Sequence, residues 1–435
     1  MALTRRGFLA AAAAGLAAPP DSKTLVNAGR MRSHIEELSV FGRPPGGTFA
    51  DGVSRVGFSD ADVAGRRYVL GLMRAAGLEP RIDAAGNIFA RRPGSDPKLE
   101  PVLFGSHIDS VPSGGNFDGD LGSLAAVEII QTLNERRIQT RRPLEIVVWA
   151  NEEGVAYNAV LFGSRAAAGK LMTTELDKVW NGVKKSEAVT KIGGQPLRIE
   201  QARLPAGGFR GYLELHIEQG GTLEKAGIPI GVVDGIVSID RWEVTIKGFA
   251  NHAGTTPMGE RQDALLAAAH LTVAVNEIVT GEPGRQVGTV GHLTVSPNAQ
   301  NVIPGLVQQT IELRDLSSDK VARLGRVIRE RAGEIARRTR TEITLAPSNH
   351  SEGAPASRDM QEAIETASAG LGLECRHLPS GAGHDAQMMA TLGAMGMIFV
   401  PSVAGISHSP RELTSWEDCA RGANVLLGAV LALAG

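Results

Sequence analysis

Short apolar runs bounded by polar or small residues alternate with segments of helical spacing along most of the chain. Pro101-Val102-Leu103-Phe104-Gly105 has the continuous hydrophobicity of a buried strand, and apolar positions over 121–133 recur at the spacing of a helix face. Residues 144–149 and 211–215 predict two further strands. This strand–helix–strand rhythm argues for an α/β fold with a mostly parallel sheet and helices on both faces.

From about Ile228 the pattern changes. Residues 236–239 and 242–246 flank Asp240-Arg241 and predict a pair of half-exposed strands. A helix over about 261–278 follows, then strands around 288–295 and 302–313, then a long helix over 319–339. That order is the pattern of a small open α+β sandwich with its helices on one face. After Thr341 the α/β rhythm returns, with a strand at 342–345, a helix near 360–370 and a strand at 397–400. The prediction is one α/β domain, residues 21–227 and 341–435, interrupted by an inserted α+β domain at 228–340.

Composition narrows the function classes. With 45 basic against 47 acidic residues the formal charge is -2, so the chain lacks the electrostatic footprint of a nucleic-acid binder. Two cysteines, Cys375 and Cys419, cannot build a disulfide framework, and neither stands in a CxxC pair. Outside the N-terminus no stretch reaches the roughly 20 consecutive apolar residues that span a bilayer, so stable membrane insertion is not expected. The N-terminus itself differs. Thr4-Arg5-Arg6-Gly7-Phe8-Leu9, an alanine-rich run and Ala17-Ala18-Pro19-Pro20 have the layout of a cleavable export signal over residues 1–20. The paired arginines suggest the twin-arginine type, and with it a periplasmic or otherwise exported protein.

The residues suited to chemistry stand just beyond strand ends, where open α/β sheets bind ligands. His107 and Asp109 lie in Gly105-Ser106-His107-Ile108-Asp109-Ser110, and Asp118 in Gly115-Asn116-Phe117-Asp118-Gly119 before a helix. Glu152 and Glu153 follow the strand that ends at Trp149; His216 lies in Leu215-His216-Ile217-Glu218-Gln219-Gly220 and His408 in Gly405-Ile406-Ser407-His408-Ser409-Pro410. Mixed imidazole and carboxylate ligands suit zinc, with manganese, cobalt or nickel as alternatives. Five ligands for a pair of ions require one to be shared. A carboxylate can bridge and an imidazole cannot, which singles out Asp118.

At these motifs the sequence resembles the amidase/hydantoinase/carbamoylase branch of the two-zinc peptidases, over essentially all of the chain from Arg32 onward. The branch includes N-carbamoyl-L-amino acid hydrolases, allantoate amidohydrolases and β-ureidopropionases. The resemblance implies a metallopeptidase-like catalytic domain carrying an inserted dimerisation lid. It implies that His107, Asp118 and His216 hold one metal, and Asp118, Glu153 and His408 the other. Related peptidases and aminoacylases usually have a carboxylate where this chain has His216, so the histidine points to ureido rather than peptide substrates. The same resemblance makes Glu152 the general acid and base, and makes the Asp109 carboxylate the acceptor that fixes the tautomer of His107. It makes Arg314 the clamp on a substrate carboxylate, with Asn301, Gln219 and His384 as further substrate contacts. His252, in Asn251-His252-Ala253-Gly254, would polarise the scissile carbonyl from the neighbouring subunit of a homodimer. The reaction implied is cleavage of an N-carbamoyl group from a small carboxylate such as an N-carbamoyl-L-amino acid or allantoate, releasing ammonia and carbon dioxide. Two rivals remain open: an aminoacylase or dipeptidase with the same metals, and a non-catalytic exported binding protein.

Overall fold

A computed structural model describes residues 24–435, so the export segment read from the sequence lies outside the described residues. The described residues form two compact units, the first made of residues 24–233, Ala356–Leu378 and His384–Gly435, the second of Asp234–Pro355 and Pro379–Gly383.

The first unit is built on a mixed sheet. Its four central strands run Leu144–Trp149, Val102–His107, Gly211–Ile217 and Met395–Val400, all parallel. Every residue of these strands is buried, which is why each reads as a predominantly apolar run. The flanks are antiparallel: Pro80–Ile82 and Ile88–Arg92 extend one side, and Ile230–Ile236 the other. The α/β fold expected is thus observed, with the parallel strands at the centre of the sheet and antiparallel strands at its edges. Side chains alternate between faces along a strand. Val102, Phe104, Leu213, Leu215 and Ile217 accordingly join one core with the helices Asp120–Glu135 and Trp416–Ala434. His107, Glu214 and His216 are out of step with that set and turn to the other face.

The second unit carries a five-stranded antiparallel sheet in the order Val287–Thr289, Leu306–Asp315, Ser238–Lys247, Glu342–Ser351, with Leu293–Ser296 also on Leu306–Asp315. Trp242, Val244, Ile246, Val307, Ile311 and Leu313 bury one face of it under the helices Ala264–Gly281 and Ser318–Thr339. Asp263 and Ser317 cap these helices by accepting backbone N–H bonds in the first turn. Two expectations are corrected here. Ser238–Lys247 is a single strand through Asp240-Arg241, because both residues pair across it with Leu313 and Glu312. Glu342–Ser351 is a ten-residue strand of this sheet and not the return of the α/β domain, so the boundary falls after Pro355 rather than near Thr341.

Among the described residues, the helix Ala264–Gly281 is long and apolar enough to cross a bilayer by length and composition, although polar residues such as His270 and Glu277 interrupt its apolar run. Its alanine-rich face, Ala264, Ala267, Ala268, Leu271, Ala274 and Val275, is buried in the second unit's core.

Candidate metal centre

The ends of the parallel strands bring the predicted ligands together. His107 closes one strand, His216 stands near the end of its neighbour, and Glu152-Glu153 follow a third. Asp118 sits in the turn before the helix Asp120–Glu135, which can close on the His107 ring because Gly119 has no Cβ; a side chain there would collide with the imidazole. Gly119 also holds φ at +71°, a conformation natural to glycine.

Asp118 divides its carboxylate between two sets of partners. Oδ1 lies 3.1 Å from His216 Nε2 and 3.5 Å from His107 Nε2. Oδ2 lies 3.3 Å from His408 Nε2, which is itself 3.4 Å from Glu153 Oε2. Each set, His107–Asp118–His216 and Asp118–Glu153–His408, has its donor atoms within 4.8 Å of one another. Glu152 stands outside both, buried, with Oε2 3.8 Å from His107 Nε2.

The donor set fits a pair of cations. His107 Nδ1 lies 3.0 Å from the Asp109 backbone carbonyl, and His216 Nδ1 lies 3.0 Å from that of Ile217. Each contact places the proton of a neutral ring on Nδ1 and leaves the Nε2 lone pair facing Asp118. Lone pairs converging on a carboxylate repel unless protons or cations lie among them. The electrostatics say the same. Burial, reinforced by the Asp118 charge, pushes the Glu153 carboxyl up to about 8. Burial likewise raises Glu152 well above the usual carboxylate range, against the pull of His107. Burial opposes charging His107, yet the surrounding carboxylates, Glu152 first, raise its pKa well above the ordinary value. Glu153 Oε1 is buried with no hydrogen-bond partner. Excess buried negative charge of this kind is what divalent cations neutralise.

The Asp109 carboxylate does not do what the sequence suggested. It lies 3.9 Å from His107 Nδ1, while the backbone carbonyl of Asp109 accepts that ring's proton at 3.0 Å. Its Oδ1 and Oδ2 instead accept the backbone N–H groups of Glu152 and Glu153, at 3.0 and 3.2 Å. Two residues of chain bring the carbonyl to the ring and free the side chain to reach the next strand's loop.

Gln219 is held at φ +57° and donates from Nε2 to Asp118 Oδ2 at 2.7 Å, leaving its buried Oε1 with no hydrogen-bond partner. His384 is buried edge-on to His216, ring centroids 4.5 Å apart; burial, then the His216 charge, lowers its pKa well below the ordinary value. Two buried glutamates escaped the sequence reading. Glu214 accepts hydrogen bonds from Ser106 Oγ at 2.7 Å and Tyr212 Oη at 3.1 Å. Its signal was an acid two residues before His216 in an otherwise apolar strand. Glu412 closes the loop that carries His408.

The remaining predicted residues belong to the second unit. His252 forms an isolated bridge with Val302, and its Nδ1 accepts the N–H groups of Gly254 and Thr255 at 3.0 and 3.2 Å. A neutral His252 therefore carries its proton on Nε2. The Asn301 carbonyl accepts from Ala253 N at 2.9 Å. Arg314 donates from Nε to Glu312 Oε1 at 2.7 Å and from Nη1 to the Gly381 carbonyl.

Residues 103–432 match the family described as Peptidase family M20/M25/M40. An N-carbamoyl-L-amino acid amidohydrolase of Geobacillus stearothermophilus is 40% identical over 411 residues, covering 94% of this chain and 99% of the relative. A ureidoglycolate hydrolase of Arabidopsis thaliana is 36% identical over 416 residues, covering 93% and 86%. A crystal structure of an amidase of the hydantoinase/carbamoylase family from Burkholderia multivorans superposes with a TM-score of 0.87 at 35% identity, covering 94% of this chain and 98% of that one.

Proposed function

The chain is a member of peptidase family M20/M25/M40, and on that premise we propose that it is a two-metal amidohydrolase that removes the N-carbamoyl group from a small carboxylate-bearing substrate. The observation that carries this reading is Asp118, whose two oxygens serve two separate imidazole–carboxylate sets while neighbouring Glu152 remains uncommitted.

His107, Asp118 and His216 would hold one ion, and Asp118, Glu153 and His408 the other. Two such ions, with zinc the first candidate and manganese, cobalt or nickel the alternatives, supply an acidified water and a Lewis acid for the carbonyl. Glu152 accepts the proton of the attacking water and returns it to the departing nitrogen. Its main chain is fixed by Asp109, so the carboxylate works from a held position. His252 donates Nε2–H to the developing oxyanion. Arg314 pairs with the substrate carboxylate through its planar fork. The ureido C–N bond breaks to give ammonia and a carbamate, which loses carbon dioxide to leave the free amine.

A homodimer completes the proposal. On the second unit Phe249 and Met258 are 62% and 75% exposed, and Leu265, Leu266 and Val273 line an apolar outer stripe of the helix Ala264–Gly281. An apolar stripe opposite the buried face suits a second copy of the chain. We also propose export by the twin-arginine segment; changing Arg5 and Arg6 to Lys would then leave the enzyme in the cytoplasm on fractionation.

The test is ammonia release from N-carbamoyl amino acids, allantoate and ureidoglycolate, beside free amino acid release from N-acetyl amino acids and dipeptides, with zinc, manganese, cobalt and nickel each supplied. Faster turnover of the acyl or peptide substrates would replace this reading with an aminoacylase or dipeptidase. Tight binding without turnover would replace it with a binding protein.

A further inference from the structure

The loop carrying His408 ends at Glu412, which belongs to neither metal set. Glu412 is 4% exposed, and its carboxylate bonds to both ligand loops. Oε1 accepts the backbone N–H groups of Phe117 and Asp118 at 3.0 and 3.1 Å. Oε2 accepts from Ser407 Oγ, next to His408, at 2.8 Å. The backbone N–H of Glu412 returns to the Ser409 carbonyl at 2.9 Å, folding its own loop around His408. Ser407 Oγ also stands 3.1 Å from Asp118 Oδ2, the oxygen that faces His408. Residue 115 must be glycine for this to form, because a Cβ there would strike the Glu412 carboxylate.

Asp118 and His408 lie far apart in the chain, and neither local loop sets the distance between them. Glu412 grips the main chain of one and the flanking serine of the other. We propose that Glu412 is a positioning residue that clamps the Asp118 and His408 loops together and so builds the second metal site. The first site takes His107 and His216 from rigid strands and depends on the clamp only through Asp118. The second takes His408 from a loop at φ +54° with its side chain 50% exposed, so its place depends on the contacts that Glu412 and Ser407 make to the Asp118 loop. Loss of Glu412 should therefore weaken one ion more than the other.

This inference rests on the two-metal reading, and the experiment separates the two. Full-length enzyme is stripped with chelator and titrated calorimetrically with Mn²⁺ and with Zn²⁺, as wild type, Glu412→Ala and Glu412→Gln. Outer hydrogen-bond partners of metal ligands typically contribute about 10–100-fold in affinity. The second ion should bind Glu412→Ala weaker by about that factor, with the first changed only a few-fold. Glu412→Gln keeps the shape and the Oε1 acceptor but turns a donor toward Ser407, and should fall between. Added metal should restore kcat in both variants while KM stays near the wild-type value. Two ions bound to both variants with wild-type affinities would overturn the proposal. A wild-type enzyme that binds only one ion would remove the two-metal reading, and the clamp with it. If Glu412→Ala does not fold, the near-isosteric Glu412→Gln decides the matter alone.

Discussion

Asp109 holds Glu152 by its main chain: the Asp109 Oδ1 accepts the Glu152 N–H at 3.0 Å. The peptide that carries both the proposed base and ligand Glu153 is thus pinned by one carboxylate, while the tautomer of His107 is set by the Asp109 carbonyl, which any residue would supply. Asp109→Asn should therefore lower kcat by about 10–100-fold, the usual cost of losing such a supporting contact. It should leave metal content unchanged. Elemental analysis and steady-state kinetics on the same preparation check both halves. Selective loss of the ion assigned to His107, with the ion assigned to Glu153 retained, would mean the carboxylate supports His107 after all.

Arg314 stands on the same strand face as Glu312 and donates Nε to it at 2.7 Å, while Arg241 Nε donates to the other Glu312 oxygen at 3.0 Å. Glu312 thus fixes the plane of the guanidinium. Arg314→Lys replaces a planar fork with a point charge and should raise KM for carboxylate substrates at least tenfold, with kcat less affected. Glu312→Gln should raise KM by a smaller factor, because the fork survives but its anchor weakens. An unchanged KM in Arg314→Lys, with only a lower melting temperature, would make Arg314 a structural ion-pair residue.

The buried acids give the metal-free protein a pH signature. Burial and the Asp118 charge raise Glu153 to about 8 from an ordinary value of 4.5, and burial, again with Asp118, raises Glu412 to about 7. A carboxyl whose folded pKa is raised stabilises the fold below its unfolded pKa and loses that contribution as pH rises through the folded value. His408, raised to about 9 by its hydrogen bond to Asp118, acts in the same direction. The stripped enzyme should therefore lose melting temperature between about pH 6.5 and 8, a window above the titration of unfolded histidine. Zinc should restore more at pH 8 than at pH 6.5, because ions displace protons from the same ligands. Calorimetry in buffers of different ionisation enthalpy should show net proton release on binding. A flat melting temperature across that window, with no proton release, would contradict the charge balance drawn here.

Legibility from sequence followed burial. The strand predicted at 144–149 is the strand observed, Leu144–Trp149, because all six positions are buried and five of them are apolar. The grouping of His107, Asp118, Glu153 and His216 was equally legible, since each sits at or just past the end of such a strand or before a buried helix. Strand direction was not, because Ile88–Arg92 is antiparallel to its neighbour yet buried at four of its five positions, much as the parallel strands are. The strand Glu342–Ser351 was given to the wrong domain although its half-exposed start carried the alternation of a one-sided antiparallel sheet. Atom-level roles were out of reach for a different reason. Residue types cannot say whether the carbonyl or the carboxylate of Asp109 meets His107, nor that Arg314 donates to Gly381, 67 positions away.

The partner subunit offers the strictest test. His252 belongs to the second unit, whereas Glu152 and the metal ligands belong to the first. The proposed homodimer places His252 of one chain at the metals of the other, so each active site needs a sound His252 and a sound Glu152 from different chains. His252→Ala and Glu152→Gln homodimers should each be nearly inactive, since loss of a general base typically costs about 10²–10⁴-fold. Mixing the two and allowing subunits to exchange produces heterodimers in which one site carries both lesions and the other carries neither. Random exchange makes half the dimers mixed, and half of their sites are intact, so about a quarter of wild-type activity should return. Native mass spectrometry establishes that exchange has occurred, and chelator-free buffer keeps the ions in place throughout. Recovery near a quarter, rising with the heterodimer fraction, is the expected result. Complete exchange with no recovery would mean that His252 serves its own chain or has no part in the reaction.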